Sequence, residues 1–230
     1  MRTRIAILAA LLGLLLPVTA FADNVTLVGV GGATSTSGSV YIVPYTLNDT
    51  GVDGGAINVS VICDSFGNEV TIGETWQGTT EAFGPSGAIS GGLFSSQPNA
   101  VANYDEAVVL YSMFLSGTSV LATANATQYA IWGLFTPSVV GTSDWDSSGA
   151  AALLASYTGS AGFNFTDYDL ITPIAGTQSG GLGTAQEFIY QDADVPLTPN
   201  PEPTSIALFG SGLLGLGFAF RRKLSRLGAL

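Results

Sequence analysis

The sequence predicts an α+β fold, a β-rich sandwich or barrel-like domain that carries a helical insertion in mid-chain. Three observations predict it. Residues 24–98 fall into short apolar runs separated by Gly, Asn, Asp and Ser clusters, residues from about 101 to 158 change to helical spacing, and strand character returns after residue 162.

The first part reads as four strands, "VTLVGV", "SVYIVPYTL", "GAINVSVICD" and "NEVTIGETW". Alternation is clearest in "INVSVIC", which puts Ile57, Val59, Val61 and Cys63 on one face. "NYDEAVVLYSMFLSG" then sets Ala107, Leu110, Tyr111 and Phe114 at helical spacing and stops at Gly117. A second helix is expected in "NATQYAIWGLF", with Asn125 or Thr127 as N-cap and Pro137 closing it. Its apolar face holds Ile131, Trp132 and Phe135, and the polar amide of Gln128 falls on that same face. The alanine-rich stretch after Trp145 predicts a third helix, capped by Asp146 or Ser147 and ending near Gly159. "FNFTDYDLITPI" and "TAQEFIYQ" return to strand, and "VPLTPN" reads as an extended linker. No internal repeat is visible.

Charge narrows the function classes. The net charge is -11, and the six basic residues, Arg2, Arg4, Arg221, Arg222, Lys223 and Arg226, all sit at the two ends. Between Arg4 and Arg221 there is no Lys, Arg or His, and that span holds all 17 Asp and Glu residues. Nucleic-acid binding needs cations to neutralise phosphates, so no nucleic-acid partner is expected. Without histidine the Ser-His-Asp and Cys-His sites and most catalytic zinc sites are excluded.

Both ends read as addresses. Arg2 and Arg4, an apolar run from Ile5 to Leu16 and the small-x-small pattern of Ala20-Phe21-Ala22 form a signal peptide over residues 1–22, so signal peptidase is an expected partner. The other end has Pro201-Glu202-Pro203, an apolar segment Thr204–Phe220 and the basic cluster Arg221-Arg222-Lys223. At 1.5 Å per residue that segment spans about 25 Å, a marginal membrane span, with the basic cluster held in the cytoplasm. This order resembles a PEP-CTERM sorting signal. The resemblance implies transient membrane insertion, recognition and removal of the tail by an exosortase in a Gram-negative cell that makes exopolysaccharide, and an exported product in the cell envelope or outside it. The expected division is a signal peptide 1–22, a β-rich extracellular domain 23–196 with the helical insertion about 101–158, a linker 197–203 and a sorting tail 204–230.

The single cysteine, Cys63, cannot form an internal disulfide. It is a free thiol, an intermolecular bridge, or the sulfur of a thioester formed by attack on the Gln128 carbonyl with loss of ammonia. A thioester must be shielded from water, and Trp132 lies one helical turn from Gln128 on the same side, with Tyr104, Tyr129 and Trp76 as further cover. "VICD" followed by "TQYAIW", with the "YDEAVVLYSMFLSG" helix between, resembles the thioester domains of Gram-positive surface adhesins. The resemblance implies Cys63 as the thiol side, Gln128 as the acyl side, Trp132 at the motif's tryptophan, and covalent capture of amines on a partner without enzymatic turnover. The plainer alternative makes Cys63 a small buried hydrophobe and Gln128 a hydrogen-bonder to backbone at a helix start.

Other candidates carry less. The pairs Asp144/Asp146, Asp167/Asp169 and Asp192/Asp194 have the oxygen chemistry of calcium ligands, but none sits in an EF-hand loop, and neither a metal nor a cofactor is expected. A carboxylate pair can serve a glycosidase, yet no spacing singles out one acid and one base. The runner-up function is a non-covalent structural component of the exopolysaccharide or biofilm matrix.

Overall fold

Strand alternation builds a closed sheet. The computed structural model describes residues 22–31, 40–50, 57–180 and 183–192, so the signal segment, the linker and the sorting tail lie outside the described residues. Six strands, β1 (Asp23–Val30), β2 (Tyr45–Asp49), β3 (Ile57–Cys63), β4 (Thr75–Ala82), β5 (Tyr168–Pro173) and β6 (Phe188–Gln191), form a barrel in the order β1-β2-β3-β6-β5-β4. Every neighbouring pair is antiparallel, and closure leaves no unpaired edge among them. Of the sandwich and the barrel that alternation allows, the chain forms the barrel.

Residues directly opposite on paired strands share a face, so the register identifies the interior. Leu27 faces Leu47, which faces Val59; Tyr45 faces Val61, which faces Tyr190; and Cys63 faces Phe188, which faces Ile171. All nine are buried. Phe188 packs edge-on against Tyr45 at 5.5 Å and stacks on Trp76 at 6.0 Å.

The outer face of β3, β6 and β5 is buried too, with Ile62, Ile189 and Leu170 fully inaccessible. The cover is the segment inserted between β4 and β5: α1 (Ala100–Ser116), α2 (Ala124–Phe135), α3 (Ser143–Ser148) and α4 (Ala150–Ala155). Tyr111 of α1 reaches the sheet, donating its hydroxyl to Ser60 O at 3.0 Å. Cover on both faces leaves β5 buried at every position and β6 buried from Phe188 to Tyr190, with no alternation of buried and exposed residues.

Several boundaries differ from the sequence reading. The N-cap of α2 is Thr123, whose side chain accepts from Ala126 N–H, not Asn125 or Thr127, which lie inside the helix. Thr142 caps α3, not Asp146 or Ser147, and Gly149 at φ 86° divides the expected single alanine-rich helix in two. The ladder of β2 begins only at Tyr45, after Pro44, which has no amide hydrogen to pair. In "NEVTIGETW" the strand starts at Thr75, because a turn at Gly73 (φ 90°) interrupts the run, and it continues to Ala82. Residues 165–167 form a 3-10 turn before β5. Among the described residues no helix is long and apolar enough to cross a membrane.

Candidate functional site

Gln128 and Cys63 come together where α2 crosses the end of β3. The amide Nε2 donates to the Cys63 carbonyl oxygen at 2.6 Å, and Oε1 accepts from the Val43 N–H at 3.2 Å. Gln128, Cys63 and Val43 have no exposed surface. One side-chain amide thus joins the end of β3, the segment before β2 and the first turns of α2.

The Cys63 sulfur faces the barrel interior and lies 3.6 Å from Ser65 O and 3.8 Å from Ser65 Oγ. Burial, and after it the nearby Asp64 carboxyl, push the thiol up to about 12. The indole N–H of Trp132 lies near enough to favour the thiolate, as do the Ser65 contacts, but burial outweighs them. Trp132 Nε1 makes no well-formed hydrogen bond. Its ring packs at 5.0 Å from Phe66 and 5.2 Å from Tyr129. A cavity of about 660 Å³ opens beside it, lined by Tyr41, Tyr45, Phe66, Glu69 and Trp132 among others.

Across β3 from the thiol lies a second polar cluster that the sequence did not reveal. Glu187, fully buried just before β6, accepts from the Tyr104 hydroxyl at 2.6 Å, the Thr172 hydroxyl at 2.7 Å and Leu93 N–H at 2.7 Å. Asp64 is equally buried, and its carboxyl oxygens receive no donor. Burial and the neighbouring Glu187 raise Asp64 well above the usual carboxylate range. Tyr104, expected near the thiol as cover, uses its hydroxyl on Glu187 and packs its ring against Phe83 and Phe135. Trp76 lies on Phe188 inside the barrel. An acidic residue set in the apolar run "AQEFIY" was the available signal for Glu187.

The other acidic pairs are dispersed. Asp144 and Asp146 occupy the first turn of α3. Asp169 is raised to about 6 by burial and by the Asp192 charge, while Asp194 lies outside the described residues. Among the described residues no group of three or more His, Cys, Asp or Glu side chains is placed to hold a metal ion.

Comparison with protein families finds the PEP-CTERM protein-sorting motif at residues 201–223. That match includes Pro201, Glu202, Pro203, Arg221, Arg222 and Lys223, all outside the described residues. It implies an exported protein that an exosortase processes through a membrane-anchored sorting step. Comparisons with curated proteins and with solved structures found no match.

Proposed function

We propose that this exported chain attaches covalently to amine-bearing partners through an internal thioester between Cys63 and Gln128. The observation that supports the reading is the buried contact of the glutamine amide with the backbone of the chain's one cysteine, 2.6 Å across 65 residues of sequence. Thioester formation joins Cys63 Sγ to Gln128 Cδ and breaks the Cδ–Nε2 bond. Because burial keeps the sulfur protonated, the proton leaves it as the new bond forms and departs on the nitrogen as ammonia. Val43 N–H, already on Oε1, is placed to stabilise the oxyanion of the tetrahedral intermediate. A primary amine then attacks the acyl carbon, returns the proton and electron pair to Cys63 as the thiol, and remains as an amide on the Gln128 side chain. Each molecule reacts once, so there is no turnover. Burial under Trp132 keeps water from hydrolysing the bond, and a body without lysine offers no side-chain ammonium of its own to consume it.

The second reading is a non-covalent structural component of an exopolysaccharide or biofilm matrix, and it too has an observation behind it. Both polar ends of the Gln128 amide already have backbone partners, and a thiol raised to about 12 is unreactive. In that reading Gln128 is a clamp between β3 and α2.

Incubating the full chain with a biotin-linked primary amine and resolving it on a denaturing gel separates the two. Attachment requires label on the unaltered chain and none on Cys63→Ala or Gln128→Ala. Label on Cys63→Ala, or none on any chain, contradicts it.

A further inference from the structure

The cavity beside Trp132 has a lining that selects a ligand. Aromatic faces come from Tyr41, Phe66 and Trp132, and a carboxylate from exposed Glu69. The polar groups between them present acceptor oxygens, since the hydroxyl hydrogens of Thr71 and Tyr45 and one amide hydrogen of Asn68 are engaged elsewhere. Asn68 Nδ2 donates to Ala185 O at 3.1 Å, Thr71 Oγ1 to Glu74 Oε2 at 3.3 Å, and Tyr45 Oη to Tyr41 O at 2.5 Å. Each leaves oxygen lone pairs on a wall that already carries Glu69, and largely buried Gln186 adds one amide.

We propose that this cavity recognises an amino sugar, a pyranose ring bearing a primary ammonium group. A wall of acceptors and a carboxylate rejects phosphate and carboxylate ligands and calls for many donors and a positive charge, which hydroxyls and an ammonium provide together. Aromatic faces suit the cation and the apolar face of a ring. An unbranched lysine stem supplies the charge but has no hydroxyls for Asn68, Thr71 and Tyr45. The volume lies within the range of small-molecule sites, larger than one alkylammonium chain needs. The electrostatics agree, since the body between Arg4 and Arg221 has no Lys, Arg or His side chain to compete with the ligand for Glu69. Trp132 lines the cavity and also carries its indole N–H beside the Cys63 sulfur, so a sugar amine held here is adjacent to the proposed acyl centre. That last consequence rests on the thioester reading. Recognition itself does not.

The test is calorimetric titration of the full chain in mild detergent with glucosamine oligosaccharides, their N-acetylated counterparts and a lysine-containing peptide, repeated on Cys63→Ser. Saturable binding of the glucosamine oligosaccharide, retained in Cys63→Ser, is expected. Acetylation of the sugar, Glu69→Gln and Phe66→Ala should each weaken it about tenfold or more. Glu69 and Phe66 are exposed, so both variants should keep the thermal midpoint of the parent chain, which is measured alongside. Three outcomes overturn the proposal: no heat with the amino sugar, equal binding of the acetylated sugar, or lysine peptide binding as tightly as the sugar. Binding in Cys63→Ser together with no amine label on the unaltered chain would retain the cavity assignment and remove the thioester alone.

Discussion

Cys63 and Asp64 are consecutive, and the end of β3 sends them into two opposite sites. Cys63 faces the barrel interior with Phe188, Tyr45 and Trp132 around it, while Asp64 meets Glu187, in the network that the barrel shares with Tyr104 of α1. The inner site holds one amide on two backbone groups and could change its covalent state. The outer site is a buried carboxyl pair whose Glu187 accepts from Tyr104, Thr172 and Leu93 N–H, so it serves to bind barrel and helices. Two fully buried polar sites on one strand thus have different consequences when altered: the outer should govern stability and the inner should govern chemistry.

The largest effect is expected at the outer site. Glu187→Ala leaves the Tyr104 and Thr172 hydroxyls and Leu93 N–H without their acceptor together, and should cost about 3–5 kcal/mol in urea unfolding. A loss below about 1 kcal/mol would show that the network is dispensable and remove the distinction between the two sites.

Acidity gives the next test. Asp23, Asp64, Asp105, Glu106 and Asp169 all ionise at higher pH than usual, with burial the largest cause in each, in a body that has no basic side chain to oppose it. The folded chain therefore keeps protons that the unfolded chain has lost. The stability they contribute is complete below the unfolded value near pH 4 and declines as pH rises through the folded values, about 6 for Asp169. The thermal midpoint should be higher at pH 4.5 than at pH 7. Asp169→Asn should flatten the part of that slope below pH 6, and Asp64→Asn should reduce the overall fall in stability with rising pH. A midpoint that falls on acidification contradicts the assignment.

The smallest effect belongs to the helix that delivers Gln128. Thr123→Ala removes the cap of α2 and should cost about 1 kcal/mol, read as a shift in the urea midpoint with unchanged slope.

The sequence disclosed these regions unequally. Alternation in "INVSVIC" showed the inner face of β3, because that signal follows the period of its element, whereas the stripe of Ile131, Trp132 and Phe135 showed only part of the burial of α2, which is buried all round from Ala126 to Trp132. Gln128 was conspicuous as an amide on that stripe. Val43 was not, since a backbone N–H donor has no side-chain signature. Glu187 was hidden for a different reason: its donors come from residues 93, 104 and 172, and only the closed barrel brings them together. The caps were misplaced by two to five positions because "TANAT" and "TSDWDSS" each offer several Ser, Thr, Asn or Asp residues, and the winner depends on where the chain turns into the helix.

The most direct test of the covalent account is the intact mass of the exported protein before and after methylamine, with Cys63→Ala beside it. The account predicts a mass one ammonia below that of the processed sequence, rising by one methylamine on treatment, with neither change in Cys63→Ala. The full sequence mass in freshly isolated protein, with Cys63 alkylated quantitatively after unfolding and no methylamine gained, would contradict it and leave Gln128 as the clamp that joins α2 to β3.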